Sequence, residues 1–458
     1  MLITENQPLA LFTTFGIGGP ARWFVEATCE EEVVEATAWA EAHGLALFVL
    51  GGGSNLLIAD TGFDGLVLRV GLRGIVVAPG GNRNYSSSNL SEADASGAEQ
   101  AAEKDLFWVE GGKKHTSGAK ARADSAAFVP GINPRPTART SSSAASEARI
   151  DSVDLIPGMN PWPTVRTSFS EACEAPVGSD GVDAGEKGLT YQAAAGEDWD
   201  AFVERTVQDN CAGVECLAGI PGAVGGTPVQ NVGAYGQEVA SAIERVRAFD
   251  VEDRAFVELS ASECGFAYRR SRFNSTDRGR FIVTRVDYRL TLGGAPTLKY
   301  ADLHRAILEG RPDGARPSLA EVAALVRQVR QSKGMLLVEG DTDCRSAGSF
   351  FKNPVVTEEQ LLRIAEGSEK EPPRFPAGAG AENIGRVKVP AAWLIEQSGF
   401  AKGYSLGAAG ISSRHTLALI NRGGASAAEM LKLAGRIADA VESRFGIRLE
   451  MEPALVGF

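Results

Sequence analysis

The segment GIPGAVGGTPVQNVGAYG, residues 219–236, carries glycine at 219, 222, 225, 226, 233 and 236 and proline at 221 and 228. Glycine weakens helix and strand interiors, and proline removes a donor from either ladder. The segment therefore folds as a long loop held by a scaffold made elsewhere. A second glycine-rich stretch, LGGGSNLLIAD (50–60), follows the apolar run LALFVL (45–50). Its three glycines let backbone N–H groups approach an anion, and Ser54 and Asn55 add side-chain donors. Either stretch alone could be a tight turn or loop packing. Two such loops, far apart in sequence and one of them after a strand, suggest a dinucleotide held between two subdomains. LGGGSNLLIAD is not a Rossmann fingerprint, because Leu56 stands where the third glycine is needed, and no P-loop motif occurs.

The 458 residues are 44% hydrophobic, ample for packed cores, and length alone suggests about three domains. The formal net charge of −12 disfavours a phosphate footprint for nucleic acid. The six cysteines, Cys29, Cys173, Cys211, Cys216, Cys264 and Cys344, contain no C-x-x-C pair, and the four histidines form no H-E-x-x-H. Reduced thiols, no metal site and a cytoplasmic location are the expectation. No run approaches about 18 continuous apolar residues, so no membrane insertion is expected.

Helices and strands alternate irregularly, which reads as α+β. Val33, Ala36, Thr37 and Ala40 have helical spacing, stopped by Gly44. GLVLRV (65–70) is a short strand, RVRAFD (245–250) and AFVEL (255–259) form a hairpin, and FIVTRVDYRLTL (281–292) alternates with period two. Capping boxes begin helices at Ser318/Glu321, Thr357/Gln360 and Ser426/Glu429, the last helix running to Gly446. From about 79 to 187 the chain is rich in Ser, Ala, Gly, Glu and Pro. PGINPRPTARTSSS (130–143) returns there as PGMNPWPTVRTSFS (157–170). Two copies are too few for a solenoid, and this stretch reads as a disordered insertion.

Three further stretches could carry chemistry. CGFAYRRSRF (264–273) sets arginines beside aromatics, LEMEP (449–453) places two carboxylates one residue apart, and SAGSFFKNP (346–354) puts Ser349 between Gly348 and two rings. Each has an ordinary reading: solvated arginines, surface salt bridges, a turn.

Taken in order, these motifs resemble the UDP-N-acetylenolpyruvoylglucosamine reductase family. TTFGIGGPARWF (13–24), LGGGSN, AAAGEDWDAFV (193–203), IPGAVGGTPVQNVGAYG, FAYR, AGSFFKNP and the terminal LE-x-E all appear, covering nearly the whole chain outside the insertion. TLKYADL (297–303) resembles the segment carrying a substrate-covering tyrosine in the first of two subtypes. The chain departs from the pattern at Met451, which replaces a common proline. It departs again at Ala454, where some members place a flavin-contacting arginine, and in the GMLL after Lys333.

The resemblance implies a vanillyl-alcohol-oxidase-type two-part FAD-binding region (1–68 and 69–333) and a C-terminal α+β substrate-binding domain (334–445). Residues 446–458 would form a strand returning to the FAD region. It implies NADPH-dependent, FAD-mediated reduction of UDP-N-acetylglucosamine enolpyruvate to UDP-N-acetylmuramate, with no protein partner evident. Arg269, Ser349 and Glu452 would be catalytic. Gly51, Gly52, Gly53, Ser54, Asn55, Ile220, Pro221, Gly222, Gly225, Gly226, Tyr235 and Arg330 would hold FAD. Tyr300, Lys333 and Asn353 would contact substrate. Another FAD oxidoreductase of the same fold, or a flavin-binding scaffold without turnover, is the alternative.

Overall fold

The structure, a computed structural model, describes residues 1–79, 188–308, 315–377 and 383–458, without the side chains of 301, 302 and 308. The insertion, with its repeat, lies outside the described residues.

A four-stranded sheet opens the chain. Its order is Ile3–Pro8, Pro20–Ala27, Phe63–Val70, Ala46–Leu50, the first pair antiparallel and the other two parallel. The helix Glu30–Ala42 makes the crossover, burying the four expected residues Val33, Ala36, Thr37 and Ala40. A second, antiparallel sheet runs Ala255–Ser260, Ile243–Asp250, Phe281–Leu292, Gly188–Ala194, Ile75–Pro79. The expected hairpin closes with Asp250 opposite Ala255. Pro79 lies opposite Leu189, so the chain leaves and re-enters this sheet at one place.

The two sheets share a core. Val25, Val33, Leu66 and Leu68 pack in the same cluster as Tyr191, Trp199, Phe202, Val246 and Val286. A second core belongs to the C-terminal part, around Phe350, Phe351, Leu394, Leu433 and Ile437. Phe15, Ile17 and Leu57 from the start of the chain enter it too. All three capping boxes form, and the helix Ala427–Phe445 ends at a left-handed Gly446. That helix begins against the first flavin-type loop region: Ala427 and Ala428 donate their backbone N–H groups to the Asp60 carboxylate, at 2.7 and 3.1 Å. A carboxylate there satisfies otherwise orphaned donors and meets the positive end of the helix.

The chain's last strand, Ala454–Val456, pairs in parallel with Leu56–Ile58, directly after the first glycine loop. Among the described residues, no helix is long and apolar enough to cross a membrane.

Candidate active site

The two glycine-rich loops meet. A Cβ on Gly52 would fall 2.4 Å from the Gly222 Cα, and one on Gly53 would fall 1.7 Å from the Phe12 carbonyl oxygen. Gly53 also has φ +64°, so both backbone shape and space demand glycine. Between the loops lies a cavity of about 360 Å³ lined by Gly51, Gly52, Gly219, Pro221 and Gly222 with Thr14 and Arg69. A Cβ on Gly51, which lines this cavity, would meet no protein atom within 4 Å, so its backbone is bare there. That is the surface a diphosphate and a planar ring need, and the residues fit FAD.

Other groups brace the second loop from behind. Asp200, on the helix Trp199–Gln208, accepts the Gly219 N–H at 2.5 Å and pairs with Arg327. Arg330 is buried; its Nε donates to the Gly219 carbonyl at 2.9 Å and a terminal nitrogen donates to the Met335 carbonyl at 2.7 Å. It thus ties the start of the loop to the segment that follows its own helix.

Tyr235 gathers three of the expected site residues. Its ring stands edge-on to Tyr300 with centroids 5.5 Å apart, the Lys333 ammonium lies 5.7 Å from its centroid, and its hydroxyl bonds Arg330. Burial pushes the Tyr235 phenol up, keeping it neutral.

The catalytic candidates converge at a second place. Arg269 Nε lies 2.9 Å from Glu452 Oε1, and an Arg269 terminal nitrogen donates to the Gly233 carbonyl at 2.8 Å. Burial pushes the Glu452 carboxyl above its usual range, against the opposing pull of Arg269 and then Lys352. Glu450, its neighbour in LEMEP, is 76% exposed and pairs loosely with Lys352 at 3.4 Å, as surface carboxylates do. One residue of spacing separates a solvated carboxylate from an enclosed one.

Ser349 reaches this pair through backbone. Glu452 N–H donates to the Phe350 carbonyl at 2.8 Å, and Lys352 N–H donates to the Glu450 carbonyl at 2.9 Å. Phe350 and Phe351 are fully buried in the C-terminal core. Burying each contributes about 1.5–3 kcal/mol, which anchors the loop directly after Ser349. Gly348 adopts φ +72° just before it. The Ser349 hydroxyl has no hydrogen-bond partner among the described residues and is half-buried. Asn353 accepts the Ala391 N–H at 2.9 Å and bonds the Tyr268 hydroxyl. A cavity of about 520 Å³ is lined by Tyr268, Arg269, Lys352 and Asn353.

The sequence reading passed over several residues here. Lys388 Nζ sits 3.8 Å above the Tyr268 ring, and burial lowers its pKa. His415 is pushed down to about 4 by burial and then by Lys333 and Lys402. Asn231, buried and left-handed at φ +46°, donates to the Ala267 carbonyl two residues before Arg269. Nothing in the local sequence set these apart.

Family comparisons agree with this geometry. The model described as UDP-N-acetylenolpyruvoylglucosamine reductase, C-terminal domain, matches residues 340–456, and the model described as FAD binding domain matches 21–82 and 180–256. The UDP-N-acetylenolpyruvoylglucosamine reductase of Thermobifida fusca is 35% identical across 99% of this chain and 98% of its own length. The chain belongs to the UDP-N-acetylenolpyruvoylglucosamine reductase family. The reductase of Streptomyces coelicolor is 36% identical over 99% of this chain and 90% of its own. The crystal structure of the reductase from Thermus caldophilus matches the fold with a TM-score of 0.51 at 21% identity, covering 99% of this chain and 98% of that one. Family membership makes the chain an FAD-dependent oxidoreductase, with a two-part FAD-binding region followed by a C-terminal reductase domain.

Proposed function

We infer that this chain reduces UDP-N-acetylglucosamine enolpyruvate to UDP-N-acetylmuramate in the cytoplasm, for peptidoglycan synthesis, with NADPH as the hydride source. Bound FAD supplies the relay of hydride from NADPH to the β-carbon of the enolpyruvyl ether. We assign it to the cradle of Gly51, Gly52, Gly53, Ser54 and Asn55 facing Ile220, Pro221, Gly222, Gly225 and Gly226.

Hydride arrival at the β-carbon leaves negative charge over the α-carbon and the substrate carboxylate. Arg269 is the cation for that charge. Its guanidinium is a planar cation that offers several donors. Burial favours the neutral form of Glu452, and in that form it donates to the same carboxylate as charge develops. Ser349 delivers the proton. Its O–H bond breaks, a C–H bond forms at the α-carbon, and water restores the hydroxyl. An alcohol is a weak acid, but the carbon it meets is a strong base, so position decides the rate. Tyr300, Lys333 and Asn353 contact the nucleotide sugar. The domain limits at 68, 333 and 445 complete this reading.

The observation that carries it is the join of three distant segments: Glu452 bonded through backbone to the residue after Ser349, and its side chain 2.9 Å from that of Arg269. The test is anaerobic. FAD-loaded protein is reduced with NADPH, then mixed with the enolpyruvyl nucleotide in D2O. Rapid reoxidation with one solvent deuterium at the α-carbon is expected. No reoxidation above the nucleotide-free control overturns the assignment.

A further inference from the structure

The Arg269–Glu452 pair sits inside a closed circuit of contacts that runs through Asn55 and through Gln230, which has no assigned role. Asn55 Nδ2 donates to the Glu452 carbonyl at 3.2 Å and to Gln230 Oε1 at 2.5 Å. Asn55 also accepts the Ala454 N–H on its own carbonyl at 3.0 Å. The strand carrying Glu452 is thereby fixed on both sides, to the first glycine loop by Asn55 and to the Ser349 loop by Phe350.

Gln230 begins the other half of the circuit. Its neighbours grip the segment on either side of Arg269. Ser271 Oγ donates to the Val229 carbonyl at 2.6 Å, Asn231 Nδ2 donates to the Ala267 carbonyl at 3.0 Å, and Gly233 accepts from Arg269 itself. Ser271 and Asn231 are both buried. The segment needs such a grip, because Arg269 is held left-handed at φ +55°. A non-glycine residue pays roughly 1–3 kcal/mol for that conformation and keeps it only when its surroundings dictate it.

The Asn55–Gln230 hydrogen bond joins the two halves, beside the Arg269–Glu452 contact itself and the Tyr268–Asn353 bond. We propose that Gln230 is a positioning residue: through Asn55 it sets the separation of Arg269 and Glu452, and so their grip on the substrate carboxylate. The proposal rests on the functional reading above. Gln230 does not touch the reacting atoms in this account. It acts through Asn55 on one side and through its own backbone on the other. Its acceptor oxygen is the group that matters, so glutamate can replace it and an apolar side chain cannot.

The test compares Gln230→Ala and Gln230→Glu in the FAD-loaded enzyme, following each half-reaction separately and the exchange of backbone amides. Gln230→Ala should slow nucleotide-driven reoxidation about ten- to a hundredfold while NADPH-driven reduction stays within about twofold. Exchange at the Glu452 and Ala454 amides should quicken, and Gln230→Glu should restore both readouts. Equal slowing of the two half-reactions, no slowing at all, or failure of glutamate to rescue would overturn the proposal. If Gln230→Ala loses flavin, Gln230→Met keeps the volume without the acceptor and carries the comparison. Flavin loss from both variants would also count against a positioning role. Absence of nucleotide-driven reoxidation in the unaltered enzyme would instead overturn the functional reading.

Discussion

Arg269 Nε lies 2.9 Å from Glu452 Oε1, yet its N–H is aimed at no hydrogen-bond acceptor. A buried donor left in this state costs about 1–3 kcal/mol. In a carboxylate-binding site it has a use: a donor that makes no aligned hydrogen bond to Glu452 can turn to a ligand oxygen at little cost. The raised pKa of Glu452 completes the arrangement, since a protonated carboxyl beside the arginine adds a second donor.

The pH dependence follows from that carboxyl. Its folded-state pKa lies above the ordinary value, so the protonated form persists higher in pH than for a free glutamate. Reoxidation by the enolpyruvyl nucleotide should fall as pH rises through this raised value. Glu452→Gln keeps a donor and removes the titration. Its rate should be lower, and its alkaline limb should flatten. A limb unchanged in Glu452→Gln would assign the titration to another group.

Ser349→Ala should leave NADPH-driven flavin reduction nearly intact. The second half-reaction should slow about 10²–10⁴-fold, the usual contribution of a placed acid. Ser349→Cys should recover part of the loss, because a thiol also donates. Stopped-flow absorbance separates the two halves, and equal slowing of both would point to a binding or folding defect.

The glycine loop at 51–53 predicts opposite failures for two neighbouring substitutions. Gly53→Ala puts a Cβ 1.7 Å from the Phe12 carbonyl at a left-handed φ, so the flavin-free protein itself should lose upwards of about 2 kcal/mol. Gly51→Ala meets no protein atom within 4 Å, so its flavin-free melting temperature should hold while its affinity for FAD drops. Equal stability loss in both would mean that Gly51 does not face the cradle.

Much of this was legible beforehand. Val33, Ala36, Thr37 and Ala40 announced their helix by spacing, and the capping boxes at Ser318, Thr357 and Ser426 marked helix starts through hydrogen bonds three residues long. Such signals are local, and the interactions that realise them are local. Ser349, Arg269 and Glu452 were legible only as members of a motif set, because the physics joining them spans hundreds of residues. The split of LEMEP into an exposed Glu450 and an enclosed Glu452 depends on which face meets Phe350 and Asn55. Lys388 and His415 were missed for the same reason: a cation above Tyr268, or a histidine beside Lys333, is a property of the folded neighbourhood.

His415 makes a stability prediction. Its pKa is pushed from 6.5 down to about 4, first by burial, then by Lys333 and Lys402, with Glu396 opposing. Between those values the unfolded chain takes up the proton and the folded chain does not, so stability rises with pH through this window and is lost on acidification. The contribution is about 1–3 kcal/mol. Urea titrations of the unaltered protein and His415→Asn should show a steeper loss between pH 6.5 and 4 in the former. Parallel curves would show that His415 titrates normally.

The last prediction uses the point where the chain leaves and re-enters the second sheet. Pro79 and Leu189 are Cα partners on adjacent antiparallel strands, and the pairing continues inward to Ile75 and Ala193. The two ends are therefore held together by the sheet. Closing a loop between fixed ends costs free energy that grows only with the logarithm of its length, so exchanging a long connection for a short one changes that cost by about 1–2 kcal/mol. None of the residues assigned to FAD, substrate or catalysis lies between 80 and 187. Replacing residues 84–184 with a short Gly/Ser linker should give a yellow enzyme that reoxidises with the enolpyruvyl nucleotide at nearly the original rate. Flavin content and stopped-flow reoxidation check this together. Loss of either in the shortened chain would assign the segment a role in the flavin site or in turnover, and its 27-residue duplication would be the first place to look for it.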